Sequence, residues 1–230
     1  MKISVIIPVY NNASIIVSHV SKVISVMQNC GHPFEILLIN DGSTDGSDQI
    51  LSRLDDANIQ IFTQKNQGLG SVLSLGFSKA SGHIIVILDL DLSYDIFNMY
   101  QVIDLANHWD CVVCSKYKHT NNYPFKRRAL SVLYFLFCKW ILNISVRDMG
   151  SGFVMLHSKL IRNESFICKG FGVHCELFLK LQEKNAKILE IPINYTHSPG
   201  SFRLFYHSIQ TIKELTDLLI NQRKQLKKRP

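Results

Sequence analysis

The stretch Ile84-Ile85-Val86-Ile87-Leu88-Asp89-Leu90-Asp91 constrains this chain more than any other. Five apolar residues, four of them β-branched, run without a break into two carboxylates. Such a run is a strand covered on both faces, the kind that parallel sheets contain. Open α/β sheets bind their ligands beyond the carboxyl ends of the strands, which is where Asp89 and Asp91 fall. On extended backbone, side chains at i and i+2 point the same way, so the two anions repel unless a cation bridges them. A hard divalent ion such as Mg²⁺ or Mn²⁺ favours these oxygen ligands and shares them with substrate phosphates. The alternative is an acidic turn in which Asp91 or Ser93 caps the next helix. The pair alone leaves both readings open.

The flanking sequence repeats the pattern. Ile3 to Tyr10 is a strand with Pro8 near its end, and Asn11 to Ser14 supplies turn residues before a helix reaching about Met27. Phe34 to Ile39 is a second buried strand, which stops at the polar loop Asn40 to Ser47 before a helix starting at Thr44 or Asp45. A short strand, Ile59 to Phe62, precedes Asn66-Gln67-Gly68-Leu69-Gly70 and a helix ending near Gly82. Strand–helix alternation of this kind predicts an α/β fold with a mostly parallel sheet and right-handed crossovers. Beyond Ser93 we expect a helix to about His108, the strand Cys111 to Cys114, and an apolar helix from about Ala129 to Leu142. Phe153 to Leu156 is strand-like, Cys175 to Lys184 helical, and Ile188 to Tyr195 the last strand.

Composition enters as a bound. With 230 residues, 47% of them hydrophobic, the chain buries one sizeable core. We expect residues 1–204 to form a catalytic domain and 205–230 an amphipathic helix with a basic tail. The formal charge of +7 points to anionic partners. The basic residues gather at the C-terminus without any nucleic-acid module, so nucleic acid is not among them. Cys111 and Cys114 resemble half of a zinc site, but on a strand they face opposite ways and no second half exists. All six cysteines read as reduced thiols, and Met1-Lys2 leads straight into a strand with no signal peptide. The expectation is a cytoplasmic protein.

Three loops therefore fall at the ends of parallel strands: Pro8 to Asn12, Asp41 to Asp45, and Asp89 to Ser93. A nucleotide needs an acceptor for its base, a contact for its ribose and a cation for its diphosphate. Asp41 can accept from a ring N–H, Asp89 can meet ribose or metal, and Asp91 can complete the metal site. Singly, Asn40-Asp41-Gly42-Ser43 is equally an ordinary Asx turn.

In order and spacing, Val5 to Asn12, Ile39 to Asp45, Asn66-Gln67-Gly68 and Asp89-Leu90-Asp91 resemble the inverting family-2 glycosyltransferases over roughly the first 120 residues. The resemblance implies the A-type glycosyltransferase fold, a single Rossmann-like α/β domain using a nucleotide-sugar donor and Mg²⁺ or Mn²⁺. It implies that Pro8, Tyr10, Asn12, Asn66 and Gly68 surround the nucleotide, that Asp41 binds its base, and that Asp89 and Asp91 hold metal and diphosphate. Asp148-Met149-Gly150-Ser151-Gly152-Phe153, Ile191 to Tyr195 and Gly200-Ser201-Phe202-Arg203 look like the polyprenyl-phosphate branch, the dolichol-phosphate mannosyltransferase group. That group usually has an acid at Asn12, often Gln at Ser93 and Arg at Lys116, and an Arg shortly before the glycine of His197-Ser198-Pro199-Gly200. These departures bear on the sugar and acceptor more than on the reaction class.

The acceptor follows from chemistry. Hydroxyl-acceptor relatives need a carboxylate base and carry a Gln-x-x-Arg-Trp motif, which this chain lacks. A polyprenyl phosphate is already anionic, so it attacks without a base and needs cations instead. Lys116, Arg127, Arg128 and Arg203 are the candidates, with Asp91, Arg127 and Arg128 expected in the reaction itself. If the acceptor is a hydroxyl, as in cell-surface polysaccharide synthesis, Glu176 is the base. His174 reads as structural. The amphipathic helix after Phe205, with the basic run 222–229, suits peripheral contact with an anionic cytoplasmic leaflet, with room for a membrane-protein partner. The aromatics of the Ala129 helix are either core or a dock for the prenyl chain. A nucleotide-sugar-binding or membrane-scaffold protein without turnover is the competing class, and it has no need of the Asp89–Asp91 pair.

Overall fold

Each apolar run forms a strand because β-branched residues pack well on a pleated surface, and the first four are each followed by turn residues and then a helix. The computed structural model describes residues 1–116, 120–121, 125–162, 164–196, 211 and 213–220, the side chains of 120–121 and 125–128 excepted. The first half is β1 (Ile3–Val9), α1 (Ile16–Asn29), β2 (Phe34–Asp41), α2 (Ser47–Leu51), β3 (Ile59–Gln64), α3 (Leu69–Lys79) and β4 (Ile84–Leu88). The second is α4 (Met99–Asp104), β5 (Cys111–Ser115), β6 (Thr120–Asn121), α5 (Phe125–Leu142), β7 (Phe153–His157), α6 (Val173–Glu183), β8 (Ile188–Pro192) and β9 (Tyr195–Thr196). Residues 213–220 are helical.

Seven strands form one sheet in the order β3-β2-β1-β4-β7-β5-β8. β1, β2, β3 and β4 run parallel, as the alternation predicts. β7 breaks the pattern: it lies antiparallel between β4 and β5, with Leu88 opposite Phe153 and Val113 opposite Val154. β8 then pairs parallel to β5. The last apolar run is two strands rather than one, since β9 leaves the sheet to pair with β6. The helix expected to reach His108 is split into a 3₁₀ turn at Ile96–Asn98, α4, and a second turn at Leu105–Asn107.

Every residue of β4 is at most 1% exposed, so this strand is covered on both faces. One covering layer carries Val20, Val23 and Met27 of α1 with Met99 and Val102 of α4. The other carries Val72 and Phe77 of α3, Leu177 and Phe178 of α6, and Leu215 and Leu218 of the last helix. That helix therefore packs on the same face of the sheet as α3 and α6. The boundary expected at residue 204, Arg203, the start of the final helix and the basic tail lie outside the described residues. Among the described side chains of α5 only Cys138 and Leu142 are buried, whereas Leu133, Trp140 and Ile141 are more than half exposed. Among the described residues no helix is long and apolar enough to cross a membrane.

The two ends of the sheet differ. At the amino ends of the strands the Glu35 carboxylate is buried and accepts from Ser4 Oγ, Lys2 Nζ, Gln60 Nε2 and the Ser81 N–H at 2.5 to 3.1 Å. Burial alone raises its pKa, but the bonds from Ser4, Ser81 and Lys2 outweigh burial and hold it at about 2. This end ties β1, β2 and the turn before β4 together. The opposite end holds the candidate site.

Candidate functional site

The loops after β1 and β2 are knitted into one surface. The Asn11 N–H donates to Ser43 Oγ at 3.0 Å, and Asn11 Oδ1 accepts from the Thr44 N–H at 2.8 Å. Asn12 Oδ1 accepts from the Tyr10 N–H, and the Asn12 N–H donates to Ser47 Oγ, both at 3.1 Å. Pro8 is half-buried below this network and Tyr10 is exposed at its rim.

Asp41, at the end of β2, is buried. Its Oδ1 accepts from Gln64 Nε2 at 2.7 Å and the Gln67 N–H at 2.9 Å, and its Oδ2 from the Gly68 N–H at 2.9 Å. The structure thus joins two predicted motifs, because the Asp41 carboxylate builds the Asn66-Gln67-Gly68 loop. Gly68 has φ +90°, a conformation that L side chains rarely adopt. Asn66 is exposed, with its backbone nitrogen against Gly42.

Asp89 and Asp91 follow β4. The Asp89 N–H donates to the Gly152 carbonyl of the β7 loop at 2.7 Å, and a Cβ on Gly152 would overlap the Asp89 carboxylate. Asp91 Oδ1 accepts from the Ser93 N–H at 2.9 Å. Neither Asp91 nor Ser93 caps the following helical turn: Asp95 does, accepting from the Phe97 N–H. That leaves the paired carboxylates without the capping role that was their alternative. Burial first, then the Asp91 charge, push Asp89 up to about 7; Asp148 adds to this and Lys116 opposes it. Two crowded oxygen acids, one of them raised by burial and by the other's charge, fit a hard divalent cation. Among the described residues no group of three or more His, Cys, Asp and Glu side chains could hold a metal ion. Further ligands would come from substrate phosphate and water.

Next to this pair stands an ammonium held in a cage. Lys116 Nζ lies 2.5 Å from Asp148 Oδ1 and 3.4 Å from the Tyr94 hydroxyl. It sits about 6 Å from the ring centres of Tyr94 and Tyr195. The Tyr94 hydroxyl donates to Asp148 Oδ2 at 2.7 Å, and so does the Lys116 N–H at 3.0 Å. Sequence reasoning found Lys116 and Asp89 but missed Asp148 and Tyr94 as neighbours of the one and Gly152 as the neighbour of the other. The acidic, glycine-containing loop was visible; its partners were not.

Two buried side-chain polar atoms among the described residues lack a partner, Ser93 Oγ and His174 Nδ1. Burial holds the His174 imidazole down to about 4 and hence neutral, Asp148 opposing and Lys116 assisting. Glu176, the candidate base, is 1% exposed and accepts from the backbone N–H groups of Ile167 and Cys168 at 2.8 to 3.0 Å. Its carboxylate organises the loop before α6. Arg127 and Arg128 are in the first turn of α5, with side chains outside the described set.

Residues 4–169 match the family model described as Glycosyl transferase family 2. The chain is 27% identical over 203 residues to a dolichol-phosphate mannosyltransferase of Pyrococcus furiosus, covering 85% of this chain and 56% of that protein. It is 29% identical over 139 residues to an undecaprenyl-phosphate 4-deoxy-4-formamido-L-arabinose transferase of Salmonella paratyphi B, covering 59% and 42%. The chain thus spans about half the length of these curated relatives. Among solved structures, mannosyl-3-phosphoglycerate synthase from Rubrobacter xylanophilus superposes with TM-score 0.74 at 12% identity, covering 97% of this chain and 75% of that one. Glucosyl-3-phosphoglycerate synthase from Mycobacterium tuberculosis, in complex with Mn²⁺, UDP and glucosyl-3-phosphoglycerate, gives 0.71 at 18%, covering 95% and 78%. At such identities the structures establish the fold alone. It is the A-type glycosyltransferase fold.

Proposed function

This chain belongs to glycosyl transferase family 2, and we propose that it moves a hexose, with inversion, from a nucleotide-sugar donor to a polyprenyl phosphate. The observation that carries the reading is the Asp89–Asp91 pair at the end of β4, beside the caged Lys116 and on the same sheet end as the Asp41 loop. The names of the curated relatives support the acceptor class.

In this reading Asp41 and the Asn66–Gly68 loop it builds receive the base, with Pro8, Tyr10 and Asn12 at the rim. Asp89 and Asp91 would hold Mg²⁺ or Mn²⁺, which when bound neutralises charge on the departing diphosphate. Arg127, Arg128 and Arg203 orient the acceptor phosphate, while the charge of Lys116, the fourth candidate, is taken up by Asp148. A phosphate oxygen forms the new bond to C1 while the bond from C1 to the diphosphate oxygen breaks on the opposite face. No proton has to be removed from the nucleophile. Glu176 is therefore not required as a base, which agrees with its carboxylate accepting from two backbone amides.

The reading also puts the protein at the cytoplasmic face of a membrane as a peripheral partner of anionic lipid. The exposed apolar side chains of α5 and the basic run 222–229 support it. The test is a panel of GDP-mannose, UDP-glucose and UDP-N-acetylhexosamines against a short-chain polyprenyl phosphate. Transfer from one donor, abolished by chelator and by Asp91→Asn with the fold retained, is expected. Transfer only to sugar hydroxyls, or undiminished transfer in chelator, overturns the acceptor or the metal.

A further inference from the structure

We infer that Asp148 is a positioning residue that sets the charge of the donor site. By pairing with Lys116 it cancels that cation and leaves Asp89 and Asp91 as an anionic site matched to a divalent ion. The inference rests on the donor reading above and names the device that makes this site select metal with nucleotide rather than nucleotide alone.

The geometry is specific. Asp148 is 1% exposed and the Lys116 side chain 8%, so the pair is out of water. A buried pair is a poor source of stability, because desolvation offsets most of the attraction, and apolar replacements often do as well. Here its second acceptor oxygen is also occupied, by the Tyr94 hydroxyl and the Lys116 N–H. Glu190 fixes the loop from behind, accepting from the Arg147 and Asp148 N–H groups at 3.0 and 2.9 Å. The same loop continues into Gly152, whose carbonyl accepts from Asp89. A Cβ on that glycine would meet the Asp89 carboxylate, so the loop carrying Asp148 lies directly against the acidic pair. An unpaired ammonium at the end of this loop would otherwise repel a divalent cation and attract a bare diphosphate.

Asp148→Asn tests this. An asparagine can keep its carbonyl toward Tyr94 and the Lys116 N–H, but it turns an amide nitrogen toward Lys116 Nζ and cancels no charge. The whole chain at pH 8 is titrated with Mn²⁺ alone, followed by electron paramagnetic resonance, and with UDP and GDP in excess chelator, followed by calorimetry. We expect Mn²⁺ affinity to fall on the order of tenfold and metal-free affinity for a nucleotide to rise on the order of tenfold, as one unit of charge in a half-desolvated site implies. Adding Lys116→Met to Asp148→Asn restores the formal charge and should return Mn²⁺ affinity to within roughly threefold of the parent, since the two effects share one contact. Opposite signs are the signature, because a merely structural lesion weakens both. Both affinities falling together, or neither moving, overturns the role of Asp148 while leaving the donor reading intact. A parent chain that binds neither Mn²⁺ nor nucleotide overturns the donor reading, and this inference with it.

Discussion

Gly152 leaves no room for a side chain because the Asp89 carboxylate occupies that space. The two residues come from antiparallel neighbours, with β4 ending just before Asp89 and β7 beginning just after Gly152. Gly152→Ala should therefore displace Asp89 rather than unfold the chain. Overpacking of this kind costs typically about 1–3 kcal/mol, so a modest drop in melting temperature is expected. Mn²⁺ affinity and transfer should fall by an order of magnitude or more, by about the scale of losing one ligand. Wild-type Mn²⁺ binding in this variant, measured by spin resonance, would show that Asp89 does not need its position.

The raised Asp89 makes metal binding pH-dependent. A carboxyl that titrates at about 7 must lose its proton to ligate. Apparent Mn²⁺ affinity should be roughly tenfold weaker at pH 6 than at pH 8, about the ratio expected one unit below a single titration. Stability of the metal-free chain runs the other way. The folded state keeps a proton that the unfolded state, at the ordinary carboxyl value of 3.8, has released. Asp89 thus favours folding at low pH and loses that contribution as pH rises from about 4 through 7. Urea unfolding of Asp89→Asn against the parent should show the slope disappear.

Glu35 has the opposite sign. Held at about 2 against an ordinary 4.5, it contributes stability above pH 4.5 that is lost as pH falls toward 2. Glu35→Gln should cost about 2 kcal/mol at pH 7, the scale of several charge-assisted bonds weakened at once. Near pH 2 the variant and the parent should have closely similar urea midpoints. A constant gap across that range would mean that shape, not charge, holds the bottom of the sheet.

The acceptor class ranks two substitutions. With a phosphate nucleophile, Glu176→Gln should lower kcat/KM by less than about tenfold, while charge reversal at Arg127 and Arg128 lowers it far more. The Glu176 variant should also lose stability, since its carboxylate accepts from Ile167 and Cys168. A hydroxyl nucleophile reverses the ranking, because removing a general base typically costs roughly 10²- to 10⁴-fold. Steady-state rates for the three proteins decide between them.

The sequence revealed those parts of the fold whose signal is local. β1 to β4 are continuous apolar runs with turn residues at their ends, so their order and direction followed from alternation. The Asp41 and Asp89–Asp91 loops were located for the same reason. β7 was legible as a strand, but its antiparallel insertion depends on pairing Leu88 with Phe153 across 65 positions, and no local pattern encodes that. Asp148 shows the same limit, being 32 residues from Lys116 and 54 from Tyr94. Glu176 has the right residue type for a base, and only its bonds to Ile167 and Cys168 reveal another use. The break between β8 and β9 was hidden because Ile188 to Tyr195 reads as one apolar run.

The inserted strand also orders events on the ribosome. β4 emerges before β5 and both emerge before β7, yet β7 lies between them. A nascent chain that has not reached residue 157 carries two largely apolar strands, each with an unpaired inner edge, and exposed edges of that kind invite association with other chains. The same nascent chain lacks the acid that pairs Lys116 until it reaches residue 148, and the carbonyl that receives Asp89 until it reaches residue 152. The insertion that joins β4 to β5 therefore also assembles the acidic end of the sheet, before β8 and Tyr195 are added.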